Sequence, residues 1–179
     1  MRAIFLDCET TGVDATKGHR LIGIGCLEMV DGELTGRSFH AWLNPSPVQM
    51  EPQVEAITGI SNRFLEDKPS FADIASDFLA FIDGAELVLH GAEFDLAFIR
   101  KELQMAGFVP EWAEQHCTIV DVRVIASERY PGKRTSIAAL CERLGVTVDV
   151  TTYQGILRGA ARLAGIYQKL EIGNEQFKK

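Results

Sequence analysis

Cysteine and proline are both scarce, and the cysteines never cluster. Four of them (Cys8, Cys26, Cys117, Cys141) stand far apart among 179 residues, and there are six prolines. Without a CxxC pair or a Cys/His group, a disulfide frame and a zinc site are excluded, and reduced thiols in a cytoplasmic protein are expected. No apolar run approaches the ~20 residues that span a bilayer, so no membrane partner is expected. An acidic pair arrives by residues 7 and 9, so MRAIFLDCETTG does not read as a signal peptide. Positive charge is short too: 18 Lys and Arg against 25 Asp and Glu leave a formal charge of −7. Such a chain does not coat duplex DNA, which needs clustered Lys and Arg to neutralise phosphates. Local binding through divalent metals that bridge carboxylates to phosphate stays open. What is present, 46% hydrophobic and 24% charged residues, is the composition of an ordinary globular chain long enough for one core.

The pattern begins as strands and then turns helical. Ala3 to Leu6, Leu21 to Val30 and Arg37 to Leu43 read as strands, with Asp31-Gly32 as a hairpin turn between the last two. A proline loop follows, with a short helix around Val54 to Ile57. Pro69-Ser70 opens a helix with Phe71, Ile74, Ala75, Phe78, Leu79 and Ile82 on one face, stopped by Gly84. Leu87 to His90 and Cys117 to Val120 are short strands, each leading into a helix: Phe94 to Met105, and one ending near Tyr130. Ser136 caps a further helix that stops at Gly145, and a last helix spans Thr152 to Leu170. The order β-β-β-α-β-α-β-α-α predicts an α/β layered domain over residues 1–172, with 173–179 as a frayed tail. Phe64, Phe71, Phe78 and Phe81 read as core, and Asp121 reads as a helix cap.

Asp7 and Glu9 lie two apart at the end of the first strand, so their side chains share a face while Cys8 points the other way. Two adjacent carboxylates repel and lose hydration if buried. A hard divalent ion, Mg2+ or Mn2+, relieves both costs. A lone DxE is more often a surface pair, but Thr10-Thr11-Gly12 adds hydroxyls and a flexible turn. A third acid, Asp95, opens the helix after the fourth strand in LVLHGAEFD, and open α/β sheets bind ligands at such strand ends.

On FLDCETTG, LVLHGAEFD, EAITGISNRFLEDKPSFADIASDF and PGKRTSIAALCERL the chain resembles the DnaQ-like 3′–5′ exonucleases of the DEDD superfamily. Within that family it is most similar to the epsilon-type proofreading subunits of bacterial DNA polymerase III. The resemblance implies an RNase H-like fold with a five-stranded mixed sheet flanked by helices, and a single-stranded nucleic-acid 3′ end, DNA ahead of RNA, held above two metal ions. It also implies a DNA polymerase complex as partner. Carried over by residue, it places Asp7 as the bridging ligand, Glu9 on the catalytic ion and Asp95 on the other. Lys133 and Arg134 fall in a basic loop suited to phosphate, and His90 on a structural position.

The third motif of that family departs. Its general-base His and last ligand Asp fall on Gln154 and Gly159 in TYQGILRGA. An amide takes no proton at neutral pH and glycine offers no ligand. Loss of a general base costs ~10²–10⁴ in rate, so impaired hydrolysis with only one ion bound is expected. Gly23 and Gly91 also replace an acid and an Asn. Asp149 is a spare acid just before the last helix. Arg158 and Arg162 flank Gly159. They read first as solvated helix surface and, in a sharper version, as arginines filling the emptied ligand space and binding phosphate. Three functions remain: a slow exonuclease, a non-catalytic 3′-end binder, or an assembly module. A glycine-bearing last helix would suit homodimer packing.

Overall fold

In the computed structural model, residues 1–149, 151–153 and 155–170 are described. Gln154, the domain end placed at residue 172 and the tail 173–179 lie outside them. Five strands form one sheet: β1 (Arg2–Thr10), β2 (Leu21–Val30), β3 (Glu33–Trp42), β4 (Glu86–Leu89) and β5 (Thr118–Asp121). Their spatial order is β3-β2-β1-β4-β5. The β2–β3 hairpin turns on Asp31 and Gly32, both at positive φ, the type of turn that matches strand twist. β1 pairs antiparallel with β2 and parallel with β4. The carboxyl ends of β1 and β4 therefore open at the same edge.

The helices are α1 (Pro52–Thr58), α2 (Asn62–Leu65), α3 (Phe71–Ile82), α4 (Ala92–Met105), α5 (Trp112–His116), α6 (Val122–Arg129), α7 (Ile137–Leu144) and α8 (Leu157–Lys169). A 3₁₀ turn, Ala15–Lys17, precedes β2. This is the five-stranded mixed sheet with flanking helices that the sequence pattern predicts. No described helix is long and apolar enough to cross a membrane.

Alternation along β1 divides the core. Ile4 and Leu6 face α3 and α4, where Phe71, Phe78, Phe98 and Ile99 are buried. Ala3 and Phe5 face α6, α7 and α8, with Val122, Leu140, Leu163 and Tyr167. Burial of each large apolar side chain contributes about 1.5–3 kcal/mol. Asp121 caps two helices at once. Its carboxylate accepts from Arg123 N at the start of α6 and from Gly91 N and Ala92 N at the start of α4.

Several expectations change. The last helix begins at Leu157, not Thr152. The Asp149 carboxylate takes Thr151 N and both Thr151 and Thr152 hydroxyls in a local turn, and Gly155 sits at φ 55. Local side-chain bonds of this kind compete with helix. Asp149 is exposed and so used up, and supplies nothing to the site. Phe64 is not core: it stands exposed, edge-on to Trp42. α2 and α5 are too short to show a period in the sequence. Gly159 and Gly165 face Asp7 and Val146 of the same chain, so they form no outward dimer face.

Candidate active site

Asp7 and Glu9 project from the carboxyl half of β1 on the α8 side, opposite Gly25 and Gly23 of β2. Asp95 comes from the other side of the sheet, on the first turn of α4, and is buried to 7% exposure. Its neighbour there is Cys8, whose thiol hydrogen-bonds the Asp95 carboxyl; burial first, and then that carboxyl and Asp7, push the thiol well up. The three acids feel one another. Burial, then Glu9, raises Asp7 to about 7, while Arg162 pulls it down. Burial, then Asp7, holds Asp95 well above the usual carboxylate range, and burial raises Glu9. Mutual repulsion in a desolvated corner is the condition a cation relieves.

The surroundings are built from both ends of the chain. His90 Nε2 lies 2.6 Å from Thr135 O, tying the basic loop to the end of β4, in the structural role expected of it. Lys133 and Arg134 are exposed on that loop. Thr10 Oγ1 donates to Gly12 O at 2.6 Å, and the buried Thr11 hydroxyl accepts from Arg20 N at 2.9 Å. Both threonines thus shape the turn, with less left over for a ligand than the sequence suggests. Gly12 is required by close approach: a Cβ there would lie 2.5 Å from the His19 ring.

Sequence reasoning missed what holds that turn in place. Lys101 Nζ donates to Ala15 O and His19 O at 3.0 and 2.9 Å. The Glu102 carboxylate grips Arg20 through both oxygens at 2.6 and 2.8 Å and takes Leu21 N at 3.2 Å. These partners are some 82 residues apart in the chain, so no local signal announces them.

The third-motif position is closed. Gly159 lies directly against Asp7, and a Cβ built on it would fall inside the Asp7 carboxylate. Upstream, the Ile156 carbonyl presses on β2, 2.7 Å from where a Gly25 Cβ would be, and Trp42 crowds Gly23 at 2.8 Å. At residue 159 it is the backbone of α8 that lies against Asp7. Among the described residues no group of three or more His, Cys, Asp and Glu side chains is arranged to hold a metal ion. The donor set does not fit a two-ion centre. Asp7 and Glu9 remain an adjacent pair whose charges burial sets against each other.

A sheet in the order β3-β2-β1-β4-β5, with acids at the joined ends of β1 and β4, is the architecture of RNase H-like exonucleases. The Exonuclease (RNase T) family model matches residues 4–151. The epsilon subunit of DNA polymerase III from Rickettsia felis is 40% identical over 175 residues, covering 98% of this chain and 76% of the relative. That of Escherichia coli K12 is 38% identical over 176 residues, covering 96% and 72%. Escherichia coli exonuclease I in complex with a dT13 oligonucleotide shares the fold at a TM-score of 0.78 and 15% identity, over 96% of this chain. The chain spans only 41% of that larger protein. The chain belongs to the DnaQ-like 3′–5′ exonuclease family, on its epsilon-type proofreading branch.

Proposed function

We propose that the chain binds the 3′ end of single-stranded nucleic acid, DNA ahead of RNA, and has lost efficient phosphodiester hydrolysis. The observation that carries this reading is the contact between Asp7 and Gly159. Where the family resemblance puts the last metal ligand there is backbone, pressed against the carboxylate that would bridge two ions. Gln154, at the base position, cannot accept a proton from water. Lys133 and Arg134 supply charge for a backbone phosphate, and the turn at Thr11-Gly12 gives a floor held rigid by Lys101 and Glu102. Asp7 and Glu9 would hold one Mg2+ or Mn2+, which would screen the pair from an incoming phosphate. The relatives named as DNA polymerase III subunits support a polymerase complex as the setting.

The test is hydrolysis of a 3′-labelled single-stranded oligonucleotide with Mg2+ or Mn2+, EDTA as control, alongside anisotropy of the same oligonucleotide. Tight binding without label release is expected from the wild type, and binding should favour a free 3′-OH over an internal segment. Release by the wild type that Asp7→Ala abolishes would overturn the loss of activity. A Gln154→His, Gly159→Asp double variant has to displace the Asp7 carboxylate, so partial recovery at best is expected from it.

A further inference from the structure

We propose that the recess between α7 and α8 is a phosphate-binding subsite built by Arg158 and Arg162. Its ligand is the sugar-phosphate backbone of the strand whose 3′ end reaches Asp7. The recess holds about 340 Å3, within the ~300–1,000 Å3 typical of ligand sites. Cys141, Val146 and Val148 form its apolar wall, Thr147 contributes a polar edge, and the two guanidinium-bearing residues stand on its rim. Positions 158 and 162 are one helical turn apart and share a face of α8.

What marks these arginines is that both line one recess without a side-chain partner. In a chain with 25 acids against 18 bases, Arg2, Arg20, Arg37 and Arg100 are each ion-paired with a glutamate. Among the described residues neither the Arg158 nor the Arg162 side chain has a hydrogen bond or an ion pair. Asp149, on the loop that borders the recess, spends its carboxylate on Thr151 and Thr152. Arg158 directly precedes Gly159, which lies against Asp7, so the recess adjoins the carboxylate corner. Two unpaired guanidiniums above an apolar wall can grip phosphate oxygens with charge-assisted forks, which a lone lysine cannot do. The walls leave room for a sugar.

The inference rests on the nucleic-acid reading above, and the two fail differently. Binding of a 5′-fluorescein oligothymidylate to the full chain in EDTA is measured by anisotropy over a range of salt. It is compared with Arg158→Ala/Arg162→Ala and Arg158→Lys/Arg162→Lys, with dTMP and inorganic phosphate as competitors. The double alanine variant, whose changes are exposed and leave circular dichroism unaltered, should bind about 100-fold more weakly, ~10-fold per arginine. The slope of log affinity against log salt should fall by about 1.4, at ~0.7 per lost phosphate contact on a single strand. The lysine variant should keep the slope and lose part of the affinity. Competition by dTMP but not by phosphate assigns the groove to a whole nucleotide, and competition by both assigns it to the phosphate alone. Unchanged affinity and slope in the alanine variant would overturn the subsite and leave the nucleic-acid reading standing. If the wild type binds no oligonucleotide, that reading falls. The subsite then survives only if dTMP raises the melting temperature of the wild type and not of the alanine variant.

Discussion

The two faces of the sheet are built on different principles. On the α3–α4 face the contacts are large and the polar groups are locked. Phe71, Phe78 and Phe98 fill the layer, and a buried carboxylate holds Arg20 by two hydrogen bonds. On the α8 face, near the carboxylates, the contacts are small, although Phe5 and Tyr167 pack deeper in the same layer. Gly25 and Gly159 admit backbone against strand, Ala160, Ala161 and Ala164 line the helix, and two arginines go unpaired. The acid on the first face, Asp95, and the acids at the strand end are retained. The replacements at 154 and 159 both fall on α8 or its approach. The face that holds the 10–20 turn is braced by side-chain hydrogen bonds, and the face that carries Gly159 brings helix backbone against Asp7.

The sharpest way to break the first face is Glu102→Ala. It leaves the Arg20 guanidinium, 8% exposed, without its partner, and an uncompensated buried charge costs about 3–5 kcal/mol. Urea unfolding should show that loss together with proteolytic nicking in the 11–20 turn, since Leu21 N loses its acceptor as well. A loss below about 1 kcal/mol would mean that the two faces are not differently locked.

On the other face, Gly159→Ala should cost about 1–3 kcal/mol, the price of an overpacked contact, because the new methyl meets the Asp7 carboxylate. In the background Asp7→Ala the same substitution should cost less, and the coupling in a double-mutant cycle measures the contact. An additive cycle would show that α8 does not rest on Asp7.

Acidity tests next how deeply the strand-end carboxylate is buried. Asp7 titrates near 7 in the folded chain, through burial and then Glu9, against ~3.9 when unfolded. Between those values the folded state binds more protons, so its stability falls as the pH rises from about 4 through 7 and the loss is complete above that. Asp95 pulls in the same direction. Asp7→Asn should therefore gain on the wild type by on the order of 1–2 kcal/mol at pH 8 and by much less at pH 5. Thermal melts of both proteins across that range check it. Equal differences at both ends would remove Asp7 from the buried corner.

Legibility in the sequence followed the range of the interactions. The strands, the 31–32 turn, the capped helices and the acids at 7, 9 and 95 are written in short patterns and were all readable. The double cap by Asp121 was half readable: its own helix shows in the sequence, its grip on α4 does not. Lys101 and Glu102 looked like ordinary positions on a helix, because their partners lie far away in the chain. The apolar period points to a start of α8 near Thr152, but the Asp149 turn onto Thr151 and Thr152 and a glycine at positive φ delay it to Leu157. That a glycine stands at 159 can be read, but what it faces cannot. A glycine in a helix looks the same whether it faces solvent, a valine or a carboxylate.

That ambiguity sets the finest test, on one helix with one kind of substitution. Gly165 also faces inward, and a Cβ there would lie 2.7 Å from Val146 Cγ1. Its neighbour, however, is the end of a side chain on a connecting loop, not a carboxylate on a central strand. Val146 can turn or retreat by a few tenths of an ångström, and alanine gains ~1 kcal/mol over glycine in a helix interior. The two effects oppose each other, so Gly165→Ala should change stability by no more than about 0.5 kcal/mol. The contrast with Gly159→Ala is then a property of what each glycine touches. If both substitutions cost the same, the tight approach belongs to α8 as a whole, and the special closeness of its first turn to Asp7 is lost as an argument for the closed ligand position.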